Sequence, residues 1–413
     1  RFDHRVTPAT RLIYETDGIL LQEMSGDPAI RRVSAIVFDE FHERHLFGDV
    51  LLGLALTLQS STRPDLRIIV MSATLDASRI QQFLDPCVEV HADGRCFHVN
   101  TTYLPPARRA EATPPWELAA DVFQQAERNG IAGHTLIFMP GAYEIRRTIE
   151  ALQSCPAARG RRLQPLYGDL TPEAQDSAVA PCVEPKIVVA TNIAETSITI
   201  EGITLVIDSG LARQAGYDPA HGINTLLVEK ISRAAADQRA GRAGRTAPGR
   251  CMRLWTETDH AHRPAHETPE IARLDLAEVL LRLHALGIRD VAQFPWLEPP
   301  STERVDQTEA FLCDIGALLP EDMSLTPLGL RMLDFPLHPR WTRLMLAAGN
   351  RDCVGDAALM AALSQERSIL LPAQNADVRE RRLEFADAEW ESDFLLLARL
   401  WRNAAEHGYD RAL

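Results

Sequence analysis

The 413-residue chain has the length of about two to four domains. Its hydrophobic content of 46% and charged content of 24% are those of an ordinary soluble globular protein, and no apolar run reaches the length that a membrane span requires. The net charge of −14 argues against binding of nucleic acid through a broad basic surface, but it allows a narrow channel that contacts phosphates through amides and hydroxyls.

The seven cysteines are an odd number without close pairs, which indicates reduced thiols rather than a disulfide framework or a zinc site. No signal peptide opens the chain, so we expect a cytoplasmic location and no membrane partner. The chain begins with Arg1 rather than Met and soon enters a strand-like stretch. We therefore expect it to be a piece of a longer protein.

Segments typical of buried strands alternate with helix-like segments up to about residue 257. This alternation predicts βαβ units and parallel sheets, and hence an α/β fold. The predicted strands are Arg11–Tyr14, Ala35–Phe38, Leu66–Met71, Thr135–Met139, Lys186–Ala190, Leu205–Ile207 and Cys251–Trp255. The predicted helices are Asp49–Leu58, Pro115–Asn129, Tyr143–Gln153 and Ser232–Gly244. The proline-containing stretch Pro86–Pro115 has no strong period, so it is predicted to be the flexible connection between two α/β units.

A Leu- and Ala-rich helical pattern replaces the strands after residue 258. The predicted helices are Leu274–Leu286, Thr302–Ile315, Arg340–Ala348, Cys353–Leu363, Val378–Phe385 and Glu391–Glu406. Leu325–Pro327 followed by Leu328–Leu333 is typical of the strand and helix of a small winged-helix unit.

The stretch AIVFDEFHER at 35–44 carries the first chemical signal. Its apolar residues predict a short buried strand that ends in Asp39 and Glu40. In an open parallel sheet, ligands bind beyond the carboxyl ends of the strands. An Asp there can hold a hydrated Mg²⁺ bound to nucleotide phosphates, and a neighbouring Glu can deprotonate a water molecule. Solvated acids at a strand end are the alternative. His42 and His45 lack further ligands at useful spacing, so no metal site is expected from them.

The sequence SRAAADQRAGRAGRTAPGR carries the second signal. At about 3.6 residues per turn, Gln238, Arg242 and Arg245 lie on one stripe of a helix. Gly241 and Gly244 allow the backbone to approach another group closely. Two guanidinium groups and an amide on one stripe are suited to binding a triphosphate. A basic helix that faces solvent is the alternative.

Several motifs in order give the chain a family resemblance. DEFH at 39–42 together with QRAGRAGR at 238–245 resembles the DEAH/DExH-box superfamily 2 RNA helicases, with a pattern similar to the bacterial HrpB-type branch. TDG, SAT, TNIAETSITIEG and VIDSG are similar to further motifs of this family, at 16–18, 72–74, 191–202 and 206–210. The resemblance covers most of the chain, and it implies ATP and Mg²⁺ as cofactors.

The resemblance implies roles for the acidic stretch. Asp39 would help to hold Mg²⁺, and Glu40 would activate the attacking water next to the metal. His42 would bridge two RecA-like domains through Gln238 when nucleotide closes them.

The resemblance also implies a nucleotide site. Arg242 and Arg245 would act as arginine fingers on the phosphates, beside Gln238. Gly210 and Leu211 would lie near the base. Leu211 stands where many relatives place an aromatic ring against adenine, so little base selectivity is expected.

Two further sets of residues follow from the resemblance. The residues implied to contact the nucleic-acid backbone are Thr16, Asp17, Gly18, Thr191 and Asn192. The residues implied to couple hydrolysis to strand separation are Ser72, Ala73 and Thr74. The segment Leu211–Glu229 is implied to be a hairpin directed toward nucleic acid, with an ordinary surface hairpin as the alternative.

A P-loop of the pattern G-x-x-x-x-G-K-[ST] occurs nowhere in the 413 residues. Relatives of this family need its amides and its lysine to hold ATP phosphates. Upstream truncation is the simplest account, and we expect the chain alone neither to bind ATP tightly nor to hydrolyse it. We also expect the C-terminus to be incomplete.

Together with these sequence patterns, the resemblance implies a monomer with an incomplete RecA-like domain at 1–95, a complete RecA-like domain at 96–257, a winged-helix domain at 258–336 and the start of a helical bundle at 337–413. The implied activity is that of an ATP-dependent RNA helicase that moves 3′-to-5′ on single-stranded or structured RNA. A DNA-directed superfamily 2 translocase and a non-catalytic RNA-binding adaptor that has lost its P-loop are the alternatives.

Overall fold

The protein is described by a computed structural model that covers residues 6–7, 9–72, 77–92, 94, 97–105, 113–130, 133–195, 198–218, 222–365, 369 and 392–408. The chain forms two compact units. The first unit comprises Arg1–Asp275 and Phe294–Ser301, and the second comprises Leu276–Gln293 and Thr302–Leu413.

The first unit has an α/β architecture. Its strands are β1 (Ala35–Phe38), β2 (Arg67–Val70), β3 (Val99–Tyr103), β4 (His134–Phe138), β5 (Arg162–Leu166), β6 (Lys186–Ala190), β7 (Ile203–Asp208), β8 (Leu211–Asp218), β9 (Ile223–Lys230) and β10 (Gly249–Arg253). Its helices are α1 (Asp17–Gly26), α2 (Leu46–Ser60), α3 (Ala77–Phe83), α4 (Pro115–Arg128), α5 (Ala142–Gln153), α6 (Pro172–Val179), α7 (Arg233–Gly241) and α8 (Glu257–His262).

A small sheet consists of β1 and β2, which pair in parallel. Alternate side chains of β1 point to opposite faces, so Ile36 and Phe38 are buried whereas Val37 is 50% exposed. Ile69 of β2, which pairs with Val37 across the two strands, is 46% exposed. Helix α2 follows β1 and contacts both strands. Within the described residues, one face of the small sheet is therefore packed and the other is open.

A large sheet has six parallel strands in the order β3-β10-β7-β4-β6-β5. Strand β6 is buried along its whole length, as expected for a parallel strand covered on both faces. Its Ile187 belongs to a core cluster with Phe123 of α4, and the next residue, Val188, belongs to a second cluster with Ala240 of α7. The predicted parallel sheet is confirmed, and six predicted strands agree with observed ones to within two residues.

Two sequence predictions about strands differ from the structure. The stretch Pro86–Pro115 is not only a connection, because it contains β3, which pairs with β10 at the edge of the large sheet. Polar side chains hide this strand in the sequence, since an edge strand has one neighbour and is only partly buried. Arg11–Tyr14 forms no strand; Leu12 is 77% exposed, and no described strand offers hydrogen bonds to this stretch.

The predicted hairpin forms a separate antiparallel pair of β8 and β9. The helix predicted over Ser232–Gly244 is divided: α7 ends at Gly241, and a 3₁₀ turn covers Arg242–Gly244. Ser232 caps α7, since its hydroxyl accepts the N–H of Ala235 at 3.2 Å.

The second unit is helical. Its helices are α9 (Ala277–Ala285), α10 (Thr302–Asp314), α11 (Pro327–Met332), α12 (Pro339–Gly349), α13 (Val354–Gln365) and α14 (Asp393–Glu406). An antiparallel bridge between Leu318 and Leu325 precedes α11, where a strand and a helix were predicted. The predicted helix Val378–Phe385 lies outside the described residues, and the predicted domain bounds stay predictions.

Candidate functional site

The acidic pair lies in a tight turn after β1. The N–H of Glu40 donates to Oδ1 of Asp39 at 2.9 Å, and Glu40 has a left-handed backbone with φ of 49°. The N–H of Phe41 donates to the carbonyl of Met71 at 3.1 Å, which ties the turn to the end of β2. Non-glycine residues held in this backbone region cost free energy and cluster at functional sites. The turn therefore holds both carboxylates at the carboxyl end of the small sheet.

His42 and Gln238 join the small sheet to α7. The amide nitrogen of Gln238 lies 2.6 Å from Nε2 of His42, so the amide donates and the ring nitrogen accepts. The ring proton then resides on Nδ1, which lies 3.5 Å from Oε2 of Glu40 but makes no hydrogen bond within the described residues. The hydrogen bond from Gln238 to His42 therefore joins α7 to the turn after β1.

The two candidate arginine fingers approach the same segment of the chain. Arg242 is 6% exposed and donates to the carbonyl oxygens of Glu195 and Ile198, the latter at 2.9 Å. Arg245 donates to Oγ1 of Thr199 at 2.8 Å and is exposed. Burial and the neighbouring Arg245 lower the pKa of Arg242 to about 10, although the charges of Glu195 and Glu40 raise it. Arg242 stays charged at neutral pH, so two adjacent cations attract an anion here.

The two glycines of this motif differ in what they contact. A Cβ on Gly244 would lie 2.5 Å from the carbonyl oxygen of Phe97, whereas a Cβ on Gly241 would meet nothing within 4 Å. The close backbone approach that was predicted therefore applies to Gly244. This close approach places the 3₁₀ turn against Phe97, just before β3.

Arg239 is a functional candidate that the sequence reasoning missed. Its guanidinium is fully buried, donates to Glu195 and Asp208 at 2.9 Å each, and stacks on Phe138 at 4.8 Å. It also donates to the carbonyl of Leu211 at 3.2 Å. The signal was available, because an arginine among buried alanines on one helix face requires buried acidic partners. Arg239 thereby fixes α7 against the segments that contact Arg242.

The two residues predicted to lie near the base, Gly210 and Leu211, differ in burial. Gly210 is buried with φ of 71°, and a Cβ there would lie 2.6 Å from the ring of Trp255. Its carbonyl oxygen accepts a hydrogen bond from Arg263 at 2.8 Å. Glycine is suited to this position because the turn requires a positive φ and leaves no room for a Cβ. Leu211 is partly exposed at the start of the hairpin.

The predicted nucleic-acid contacts divide between the two sheets. Thr16 is exposed at the start of α1, and Asp17 and Gly18 are half-buried in its first turn. Burial raises the pKa of Asp17. Thr191 and Asn192 follow β6, and Asn192 is exposed. Ser72 follows β2, whereas its predicted partners Ala73 and Thr74 lie outside the described residues.

A cavity of about 570 Å³ opens beside the contact between His42 and Gln238. Its wall includes acidic Glu267 and Glu270 and basic Arg213. The charged residues of the candidate reaction site are outside this lining: Asp39, Glu40, Arg242 and Arg245. The cavity therefore shares His42 and Gln238 with the candidate site but not its four charged residues.

The acidic turn fits a nucleotide-bound Mg²⁺. In the described part of the chain, no group of three His, Cys, Asp or Glu side chains could hold a metal ion by itself. Mg²⁺ at nucleotide sites keeps several waters and takes one or two carboxylates, with phosphates supplying the remaining oxygens. The exposed carboxylate of Asp39, with Glu40 next to it, meets that smaller requirement.

The chain is similar to a helicase family and to proteins named as ATP-dependent RNA helicases. Residues 119–247 match the family described as Helicase conserved C-terminal domain. The chain is 36% identical to "ATP-dependent RNA helicase HrpA" of Escherichia coli strain K12, over 98% of the chain and 32% of that protein. It is 36% identical to "Probable ATP-dependent RNA helicase DHX35" of Homo sapiens, over 97% of the chain and 59% of that protein.

The HrpB protein of Escherichia coli strain K12 is similar in sequence and in structure. Its sequence, "ATP-dependent RNA helicase HrpB", is 38% identical over 89% of the chain and 45% of that protein. A crystal structure of "E. coli DExH-box NTPase HrpB" matches with a TM-score of 0.79 and 35% identity, covering 96% of this chain and 48% of that one. The chain thus spans about a third to three-fifths of the length of these relatives. None of its described helices combines the length and apolar character needed to cross a membrane.

Proposed function

We propose that the chain belongs to the DEAH/DExH-box helicase family and serves in an ATP-dependent RNA helicase of the HrpB type, which couples Mg-ATP hydrolysis to 3′-to-5′ movement along RNA and to unwinding. The observation that carries this proposal is the 2.6 Å hydrogen bond between Gln238 and His42. It links the acidic turn after β1 with the helix that leads to Arg242 and Arg245. A reaction that needs a base and two phosphate-binding cations would have them on either side of this link.

The acidic turn supplies the base in the proposed reaction. Glu40 takes the proton of the attacking water, and the ring of His42 lies beside its carboxylate at 3.5 Å. Asp39 would hold Mg²⁺, which neutralises charge on the phosphates when it is bound.

The arginines supply the positive charge for the phosphates. Among the described residues, the hydrogen-bond acceptors of Arg242 are backbone carbonyls rather than carboxylates, so its charge is free to pair with an anion. Such a finger is worth roughly 10³ to 10⁵ in rate in related phosphoryl transfers. Arg239 keeps α7 in place through Asp208 and Glu195.

Nucleic acid would contact the chain at the start of α1 and just after the end of β6. Thr16 and Asn192 are exposed polar residues at these places, as sequence-independent contact with the sugar–phosphate backbone requires. Ser72 at the end of β2 would couple hydrolysis to strand separation. We also propose a cytoplasmic monomer, with thiols that remain reduced.

The proposed reaction is tested with Glu40→Gln in the product of the complete gene. We expect RNA-stimulated ATP turnover to fall by at least about 100-fold, because the substitution removes the base. RNA binding should persist. Glu23→Gln, at an exposed position of α1, is the matched control and should leave turnover unchanged. Turnover within about twofold of the unsubstituted protein would contradict the assigned role.

The substrate class is tested on the 413-residue chain by fluorescence anisotropy with single-stranded RNA and DNA of the same base order. We expect tighter binding of RNA, and weaker binding after Asn192→Ala. Preference for DNA would favour a DNA translocase. RNA binding together with no ATP turnover by the product of the complete gene would favour a non-catalytic adaptor.

A further inference from the structure

The connecting segment, residues 264–275, leads away from α8, and its first half holds the start of α7. Glu267 accepts two hydrogen bonds, from the N–H of Ser232 at 2.7 Å and from the amide of Gln214 at 2.5 Å. The carbonyl oxygens of Pro264 and Ala265 accept the N–H groups of residues 233 and 234 at 2.9 and 3.0 Å. The first N–H groups of a helix have no partner within the helix, and a carboxylate near them is favourable. The segment therefore supplies the missing partners of α7.

The second half of the same segment holds the start of α2. One oxygen of Glu270 accepts the N–H of Leu46 at 2.9 Å, and the other lies 3.3 Å from Nδ1 of His45. The N–H of Glu270 donates to the carbonyl of Arg44 at 3.1 Å. Hydrogen bonds to Glu270 and Glu43 raise the pKa of His45 to about 10, so His45 is a cation at neutral pH. Glu270 thus makes a charged contact and a helix cap together.

These two anchors are close along the chain. Glu267 and Glu270 are three residues apart, and three extended residues span at most about 11 Å. Helix α2 begins four residues after His42, and α7 carries Gln238. The segment therefore limits how far the two elements that carry the candidate site can separate at their starts.

We propose that the connecting segment sets the spacing between the two halves of the candidate site, with Glu267 and Glu270 as positioning residues for the reaction assigned under the proposed function. Loss of either carboxylate loosens the helix that it caps. Because the segment is short and is bound at both ends, the loosening spreads to the other helix as well. Two independent helix caps would show no such spread.

Hydrogen exchange measured by mass spectrometry on the 413-residue chain tests this inference without nucleotide or RNA. In Glu270→Gln, we expect exchange at the start of α2 to rise roughly fivefold, the size of effect of a weakened helix cap. We also expect a rise in peptides from the start of α7, which Glu270 does not contact. In Glu267→Gln, the start of α2 should respond in the same manner.

The matched control is Glu150→Gln on α5, where an exposed glutamate pairs with Arg147 three residues away. It should change exchange at neither helix start. Changes confined to the helix that each carboxylate caps, in both variants, would overturn the inference. The outcome is separate from that of the proposed function, since a chain without ATPase or RNA-binding activity can still show the coupled exchange.

Discussion

Arg239 joins α7 to three neighbouring segments through its buried guanidinium. Burial disfavours its charge, but Asp208 and Glu195 raise the pKa of Arg239 above its ordinary value. Burial also raises the pKa of Glu195, which Arg239 opposes. A buried ion pair costs desolvation, so its presence is weak evidence for stability, but removing one partner leaves the others uncompensated.

Arg239→Met tests this dependence, because it keeps much of the side-chain volume and removes the charge. We expect the free energy of unfolding to fall by about 3–5 kcal/mol, since Asp208 and Glu195 lose their cation. Urea denaturation followed by circular dichroism measures the change. Arg233→Met, at an exposed position of the same helix, should change it by less than about 0.5 kcal/mol. A loss below about 1 kcal/mol in Arg239→Met would show that the buried cluster tolerates the missing charge.

His45 gives the stability of the first unit a dependence on pH. Its pKa is raised to about 10 in the folded protein, whereas the unfolded value is about 6.5. The charged histidine therefore contributes fully below pH of about 6.5, and this contribution is lost as pH rises toward 10. Because the side chain is 53% exposed, solvent weakens the effect.

The measurement is the free energy of unfolding of the native chain and of His45→Gln between about pH 6.5 and 10. We expect the stability advantage of the native chain to shrink steadily across this range. A difference that stays constant with pH would mean that His45 is not charged in the folded protein.

At the scale of elements, the end of α7 depends on a glycine. Gly244→Ala would place a Cβ 2.5 Å from the carbonyl oxygen of Phe97, which is backbone and cannot move aside readily. We expect a loss of about 1–3 kcal/mol in the free energy of unfolding. Gly241→Ala is the matched control: it meets nothing within 4 Å and should stabilise the chain by about 0.5–1 kcal/mol. Equal effects in thermal denaturation would contradict the packing argument.

The strands and α7 show which parts of the fold could be predicted from the sequence. Strands β1 and β6 were predicted with their observed bounds, because short unbroken apolar runs are typical of strands. Only β6 is buried along its whole length, whereas Val37 of β1 is 50% exposed. The edge strands β3 and β5 were missed, since their side chains are polar or include Pro165. Periodicity also predicted one helix through Gly244, whereas α7 ends at Gly241 and Gly244 lies in a 3₁₀ turn that approaches Phe97, a contact distant in the sequence.

The sequence also predicted only part of the candidate site. The motifs predicted that Glu40, His42, Gln238 and the two arginines belong together, and the structure brings His42 and Gln238 into contact. The roles of these residues stay predictions. Glu267 and Glu270 could not be found from local pattern, because their partners lie on distant elements and no spacing along the chain reveals them.

At the scale of the whole molecule, the 413 residues contain no P-loop. Arg242 and Arg245 offer charge to a nucleotide, but the sequence lacks the P-loop amides and lysine that hold its phosphates in relatives. We therefore expect isothermal titration calorimetry of this chain with Mg-ATP to detect no binding in the micromolar range. Micromolar affinity would mean that residues other than a P-loop bind the phosphates.

The contact between His42 and Gln238 by itself contributes little to holding the two parts of the first unit together. A neutral hydrogen bond contributes about 0.5–1.5 kcal/mol, which changes a ratio of two populations by roughly two- to twelvefold. A ligand that binds only one arrangement of the two parts, at 100 times its Kd, favours that arrangement by about 2.7 kcal/mol. In the proposed cycle, nucleotide would therefore add more free energy to the closed arrangement than this hydrogen bond does, and the contact by itself would be too weak to keep the two parts closed once the nucleotide has left.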